Sequence, residues 1–568
     1  MLPAQHLTLK KFEQFKAAMR PYDYFELLDT LDFESLGEGD RFYLQCFGIY
    51  NSELEEESFM LRIRTPGGRI RAEHFAKLAQ IAKTHDLRMV LTARAGIQLH
   101  DLEPENVLEV FKAVNAMEGL TTWQTFGDNI RNVVTDPYDG AGRSCEMEVF
   151  PLIEKMQSFF IRNPELVGML PRRVSVGITG MRHNVSPLFS NDLLFALAKK
   201  GERFGFNVYI GGKNTEMAQC ADIFLEYEDV VGFFEALIFA FNRYGSRQKR
   251  TKSRLFHMIE EIGMEGLKEK IMLFYKKPFE EAGEMLLQKR DFCDFEPLAD
   301  GSFGYRYRTD YGVVYPEEFE AIADFASRTK AEVRLGIDQQ IYLLGLKSEE
   351  VPFQKRRTAP TVLACAGSEY CPFSYWSIKE ESKLLPQERI EKCGVIVGFS
   401  GCLKGCGRHK HADIGIVGLR SNRFGEEDRS ARIFLGAEYT SGKRAAEAVF
   451  MSVPVSQMKR VVSLVIDEYE NSGYETFEAF SSKVLNRFEP EFLHLWFMAK
   501  LENGGEAKLN PQKEPMELLS DAFGDIPSIS IAKERGFGDA AAHIVKEMWY
   551  VQEGPKVDHV KVSERRSR

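Results

Sequence analysis

Cys365, Cys371, Cys402 and Cys406 fall in two short stretches, LACAGSEYC and SGCLKGCGRHKHADIG, with C-x5-C and C-x3-C spacing. Four thiolates grouped this way are soft donors for zinc or for an iron–sulfur cluster. Structural zinc favours shorter C-x2-4-C knuckles, which the first pair does not match. A [4Fe–4S] cube takes four Cys ligands, and flanking glycines let backbone N–H groups donate to its sulfurs. The spacing favours the cluster and keeps zinc as the alternative. Cys46, Cys145, Cys220, Cys293 and Cys393 are scattered and read as ordinary thiols.

These cysteines belong to a chain of 568 residues, too long for one hydrophobic core, so about three domains are expected. Its net charge is −10, which argues against general nucleic-acid binding, because neutralising phosphates needs an excess of Lys and Arg. No apolar run approaches the roughly 20 residues that cross a bilayer. The mixed, charged N-terminal stretch does not read as a signal peptide, so a cytoplasmic protein is expected. In a reducing cytosol clustered cysteines read as metal ligands or redox groups, not as disulfides.

The elements that must position them repeat. Arg62–Leu99 recurs without a gap at Arg306–Leu343, retaining Arg62, Arg64, Thr65, Gly68, Glu73, Phe75, Ala79, Ala82, Leu91, Ile97 and Leu99. Each copy reads as a strand, a glycine turn, an amphipathic helix and a second strand. A second echo follows, VSVGITG at 174–180 against VIVGFSG at 395–401. The chain therefore reads as duplicated about a pseudo-twofold axis. The halves differ where chemistry would lie: VIVGFSG runs into Cys402, VSVGITG runs into Met181, and Arg94 and Gln98 are replaced by Asp338 and Tyr342. One half keeps thiols and the other keeps arginines, as a single composite site would require. Strands are expected at 205–212 and 429–437, and helices at 230–245 and 458–470. A helix-prone extension follows Asn503 and ends in a solvated KVSERRSR.

With FMLRIRTPGG, LTARAGIQLH, FGDNIRNVV, LPRRVSV, RFGFNVYIGG and RQKRTKSRLFHMIEEIGMEG in this order, the sequence resembles the ferredoxin-dependent nitrite and sulfite reductases. The resemblance runs from about Tyr43 to Phe497 and implies siroheme coupled to a [4Fe–4S] cluster. It implies an α+β fold with duplicated pseudo-twofold architecture, three mixed α/β domains and siroheme at their junction. The expected domains are an N-terminal arm with the first ferredoxin-like half repeat (1–128) and a first siroheme/substrate domain (129–298). A second half repeat (299–352), a [4Fe–4S]/siroheme domain (353–500) and a C-terminal extension (501–568) complete them.

Residue by residue, the resemblance makes Cys365, Cys371, Cys402 and Cys406 cluster ligands, with Cys406 shared with the siroheme iron. It places Arg94, Gln98 and His100 beside the macrocycle, with Arg408, Lys249, Lys252 and Arg254 as further carboxylate candidates. Arg62, Arg131 and Arg173 match substrate-contacting positions, and Ser175 stands where sulfite reductases carry Lys and nitrite reductases Asn. Arg173 replaces a Lys, Leu403-Lys404 replaces Pro-Asn, and Gln45 stands where sulfite reductases carry an arginine. The implied activity is six-electron reduction of a small oxyanion, nitrite to ammonium preferred, with sulfite to sulfide as the alternative. Without a strand-to-helix G-x-G-x-x-G, electrons are expected from a separate carrier, ferredoxin by resemblance. A corrin-ring-forming oxygenase and a non-catalytic electron-transfer protein are the other readings.

Overall fold

The computed structural model describes residues 11–51, 58–185, 188–356, 358–425 and 427–550. The KVSERRSR end, expected to be solvated, lies outside them. The backbone divides into two compact units. The first holds Met1–Leu363, Tyr370–Pro372 and Tyr439–Lys443; the second holds Ala364–Glu369, Phe373–Glu438 and Arg444–Arg568.

In the first unit the long repeat builds two five-stranded sheets that exchange strands. One sheet orders Ile49–Asn51, Phe59–Ile63, Ile97–Leu102, Arg88–Leu91 and Val313–Val314. The other orders Phe295–Pro297, Phe303–Tyr307, Ile341–Leu346, Glu332–Leu335 and Arg69–Ile70. Each half thus lends its short post-turn strand to the other, Val313 opposite Val90 and Ile70 opposite Val333. Helices Ala72–Thr84 and Pro316–Thr329 pack together, and the repeat mates Phe75 and Phe319 meet with ring centroids 4.2 Å apart. Both rings are fully buried, so truncating either to Ala costs about 3–5 kcal/mol by lost transfer energy and cavity formation.

Each repeat was expected to end in one strand and ends instead in a hairpin. Residues 92–96 turn between Arg88–Leu91 and Ile97–Leu102, with Thr92 N–H bonded to Gly96 O at 2.8 Å. The mate turn bonds Gly336 N–H to Gln340 O at 2.8 Å. Ala95 (φ 52°) and Gln339 (φ 65°) hold the left-handed residue at equivalent places. The turn before the helix is likewise shared, with Gly67 at φ 57° and its mate Tyr311 at 52°. Backbone shape outlives the glycine at this position.

The second echo governs a larger topology. In the first unit, Val174–Thr179 lies parallel to Ile130–Val134 on one side and Leu193–Lys200 on the other. Arg203–Ile210 and Gln219–Leu225 then add antiparallel, and helix Val230–Tyr244 follows. In the second unit, Val397–Ser400 lies parallel to Ile414–Phe424, Glu427–Leu435 and Glu447–Pro454 add antiparallel, and helix Val455–Ser472 follows. The order of elements is the same.

After Asn503 come three short helices, Pro515–Phe523, Pro527–Arg535 and Phe537–Trp549. The buried Lys500 ammonium bonds Glu468 Oε2 at 2.6 Å, and Glu468 Oε1 accepts Leu509 N–H at 2.6 Å. Removing one partner of such a buried pair strands a charge. Lys500→Ala is expected to cost about 3 kcal/mol or more in chemical denaturation of the second unit. A loss below about 1 kcal/mol would show that the pair does not anchor the extension.

Candidate active site

The parallel order of three strands explains how distant residues come to one sheet edge. Arg131 lies at the start of Ile130–Val134, Arg173 and Ser175 at the start of Val174–Thr179, and Asp192 just before Leu193–Lys200. Parallel strands begin on the same edge, and the register places Ile130 opposite Val174 and Val176 opposite Leu193.

The FGDNIRNVV motif builds the loop that feeds this edge. Asn129 Nδ2 donates to Phe126 O at 2.8 Å, and its Oδ1 accepts Gly168 N–H at 2.6 Å. Asn132 Nδ2 donates to Thr65 O (2.8 Å) and Arg94 O (2.9 Å), fixing the arginine-bearing hairpin to the Arg131 strand. The buried Arg64 pins the loop from beneath through Gln124 O at 3.0 Å and Ile130 O at 2.5 Å.

The arginines converge here. The Arg62 and Arg131 guanidiniums lie 4.6 and 5.1 Å from the centroid of the Phe126 ring, whose face attracts cations. Gln98 faces Arg62 across the strand pair, and with its amide oriented to suit its neighbours its oxygen accepts Arg62 Nε–H at 3.1 Å. Arg131 donates to Thr125 O and, at 3.0 Å, to Gly127 O. Burial, reinforced by Arg173, Arg62 and Arg94, pushes the Arg131 guanidinium well below its ordinary range. Arg173 is pushed down to about 9, first by burial and then by Arg254 and Arg94, with Asp192 opposing. Neighbouring like charges that still meet solvent in part are a ready receptor for an anion. No hydrogen bond or ion pair of Arg173 occurs among the described residues.

The buried Ser175 hydroxyl donates to Asp192 Oδ2 at 2.6 Å. Arg254, a candidate for cofactor carboxylates, bonds Asp192 Oδ1 at 2.7 Å. Lys249 and Lys252 are exposed, and Arg408 is buried inside the cysteine loop with φ 57°. His100 lies on the same strand as Gln98, its ring centroid 4.8 Å from that of Tyr370, the neighbour of Cys371. Phe126, Asn132 and Asp192 join the site without having been singled out from sequence. Behind the edge, buried Asp128 accepts from Lys16 (2.9 Å), Arg250 (2.8 Å) and Arg172 (3.2 Å). Burial works to raise its carboxyl, but these cations outweigh burial and hold it at about 2.

Cys371 falls in the first unit, and Cys365, Cys402 and Cys406 in the second. Cys365 Sγ accepts Gly401 N–H at 3.1 Å. Burial pushes its thiol up to about 12, with Cys406 adding to the rise and the N–H groups of Gly401 and Gly367 opposing it. The Cys402 thiol is raised by burial and by Cys406, and the Lys404 N–H opposes. Gly407 lets the loop close, since a Cβ there would lie 2.0 Å from Phe399 O. A thiol that meets a backbone N–H donor from the glycine-rich loop, as Cys365 does, suits iron–sulfur ligation. Among the described residues no group of three or more His, Cys, Asp or Glu stands close enough to hold a metal ion. Soft thiolates of this kind suit a cluster, and the buried, like-charged arginines suit a carboxylate-rich macrocycle or an anion.

Comparison with known proteins agrees with this geometry. Residues 126–279 match the family model for the nitrite and sulphite reductase 4Fe-4S domain. Residues 53–117 match the nitrite/sulfite reductase ferredoxin-like half domain. The chain is 24% identical to a ferredoxin–nitrite reductase of Leptolyngbya laminosa, over 82% of this chain and 98% of the relative. It is 26% identical to a ferredoxin–nitrite reductase of Synechococcus elongatus, covering 81% and 96%. The structure of the Mycobacterium tuberculosis NirA protein superposes with a TM-score of 0.77 at 21% identity, covering 85% of this chain and 97% of that one, which shows the shared fold. No helix among the described residues is long and apolar enough to cross a membrane. Residues 53–117 and 126–279 are thus similar to two domains of the nitrite and sulfite reductases, and the chain is an oxidoreductase whose matches are consistent with siroheme and a [4Fe–4S] cluster as cofactors.

Proposed function

We propose that this reductase acts on nitrite in preference to sulfite, forming ammonium with electrons delivered by ferredoxin. The observation that carries the reading is the group of arginines at the parallel sheet edge, with a neutral, committed Ser175 among them. Siroheme coupled to the cluster supplies the iron at which the oxyanion is reduced and the electrons that reduce it. The chain's own residues do the rest. Arg62, Arg131 and Arg173 hold the anion's negative oxygens and stabilise charge as the N–O bonds break. Phe126 keeps Arg62 and Arg131 aligned, and Asn132 ties the Arg94 hairpin to them. Arg94, Gln98 and His100 would line the macrocycle, and Cys365, Cys371, Cys402 and Cys406 would hold the cluster.

Nitrite is a monoanion near neutral pH, whereas sulfite is substantially a dianion and has one more oxygen to remove. A dianion gains more from every added cation, and this pocket carries no Lys at position 175 to supply one. The relatives named ferredoxin–nitrite reductase support both the substrate and the donor. Side-by-side assays with reduced methyl viologen are expected to give a higher kcat/KM for nitrite than for sulfite. A preference for sulfite in the unmodified protein would overturn the charge argument.

A further inference from the structure

Among these cations sits one fully buried carboxylate, Asp192, that the substrate reading does not use. Its Oδ2 accepts Ser175 N–H at 2.8 Å and the Ser175 hydroxyl at 2.6 Å. Its Oδ1 accepts Arg254 Nε–H at 3.0 Å and Nη2–H at 2.7 Å. Ser175 Oγ in turn accepts Asp192 N–H at 3.1 Å, closing a ring.

The duplication separates the inherited part of this arrangement from the added part. In the second unit Asp413 precedes its strand as Asp192 does, and Asp413 Oδ2 accepts Ile396 N–H at 2.8 Å. Ile396 is the second residue of VIVGFSG, as Ser175 is of VSVGITG. The carboxylate-to-backbone bond is therefore a shared device of the sheet edge. The Ser175 hydroxyl belongs to the first half, where Arg254 also reaches in, and there alone the edge carries Arg131 and Arg173. Two Arg254 N–H donors on Oδ1 and the Ser175 N–H and hydroxyl on Oδ2 fix this carboxylate more firmly than the Ile396 N–H by itself would fix Asp413.

We propose that Asp192, clamped by Ser175 and Arg254, is a positioning residue for the arginine group and sets its selectivity for singly over doubly charged oxyanions. The inference rests on the reading of the edge as an oxyanion site. A fixed carboxylate repels a dianion twice as strongly as a monoanion at the same distance, because the Coulomb energy follows the product of the charges. Arg254 offsets that charge and Ser175 keeps it from turning toward Arg173. The pair thus holds the net positive charge of the edge at a level that suits nitrite.

The test uses the purified, cofactor-loaded protein and three variants, titrated with nitrite and with sulfite through the siroheme absorption band, without electron donor. KM values follow with reduced methyl viologen. Asp192→Asn is expected to lower the ratio of sulfite to nitrite Kd about tenfold, and Asp192→Glu to leave it near the parent value. Arg254→Gln, which leaves the carboxylate uncompensated, is expected to raise the ratio. A purely structural role would move both dissociation constants together, or move the ratio the same way in both variants, and either result overturns the proposal. If Asp192→Asn does not fold, Arg254→Gln decides: a raised ratio supports the proposal and an unchanged one refutes it. A parent protein that binds neither anion defeats the oxyanion reading itself, whereas nitrite binding with an insensitive ratio defeats only the role of Asp192.

Discussion

Cys406→Ser is expected to remove cluster iron and shift the siroheme absorption in the same preparation, whereas Cys393→Ser leaves both intact. The contrast follows from where the two residues lie. Cys406 lies in the same glycine-rich loop as Cys402, whose neighbour Gly401 donates its N–H to Cys365 Sγ. Cys393 closes a short helix at Gln387–Lys392, its thiol pushed up to about 11 by burial and by Glu470. A hydroxyl at position 406 is a hard, neutral donor where a soft thiolate is needed, and the spatial grouping predicts that the loss is not confined to one iron. Iron and acid-labile sulfide assays with a visible spectrum read both cofactors together. Loss of iron from Cys393→Ser with retention in Cys406→Ser would reverse the ligand assignment.

Arg131→Ala is expected to lower turnover by about 10²-fold or more while the cofactors are retained. Its guanidinium has two roles in the structure. It bonds the carbonyls of Thr125 and Gly127, and it stands among Arg62, Arg94 and Arg173 at the sheet edge. Arg131→Lys separates these roles, since one ammonium keeps the charge but cannot span two carbonyls and an anion with a planar fork. Partial recovery of kcat in Arg131→Lys supports the anion-binding role. An insoluble or cofactor-free Arg131→Ala, with Arg131→Lys equally damaged, would make loop anchoring its whole contribution.

Much of the scaffold was legible because the duplication is written in residues that fix backbone shape and core. Phe75 and Phe319, Gly68 and Gly312, and the paired arginines at 62 and 306 lie at equivalent places in the two half sheets. The hairpin inside each repeat was not legible. Its left-handed residue is Ala95 in one copy and Gln339 in the other, neither of which marks a turn by type. The exchange of short strands between halves was hidden for another reason: pairing Val313 with Val90 is a long-range choice that no local pattern records.

The site divides in the same way. Cys365, Cys402 and Cys406 announced themselves by spacing, and the FGDNIRNVV motif led to Arg131. The meaning of Ser175 did not emerge, because its partner Asp192 is adjacent only through parallel strand pairing and Arg254 arrives from a separate helix start. Phe126 was passed over as one aromatic among many, although Arg62 and Arg131 both lie over it. A signal was available in the echo itself: an Asp precedes the strand after VSVGITG and after VIVGFSG, at Asp192 and Asp413.

The central claim is that one protein carries both siroheme and a [4Fe–4S] cluster and binds nitrite at its siroheme. A visible spectrum of the purified protein, recorded before and after adding nitrite and paired with an acid-labile sulfide assay, tests it most directly. The expected result is a red-region siroheme band that shifts on nitrite addition, together with labile sulfide. A colourless zinc protein, or an iron–sulfur spectrum without the red-region band, would contradict it.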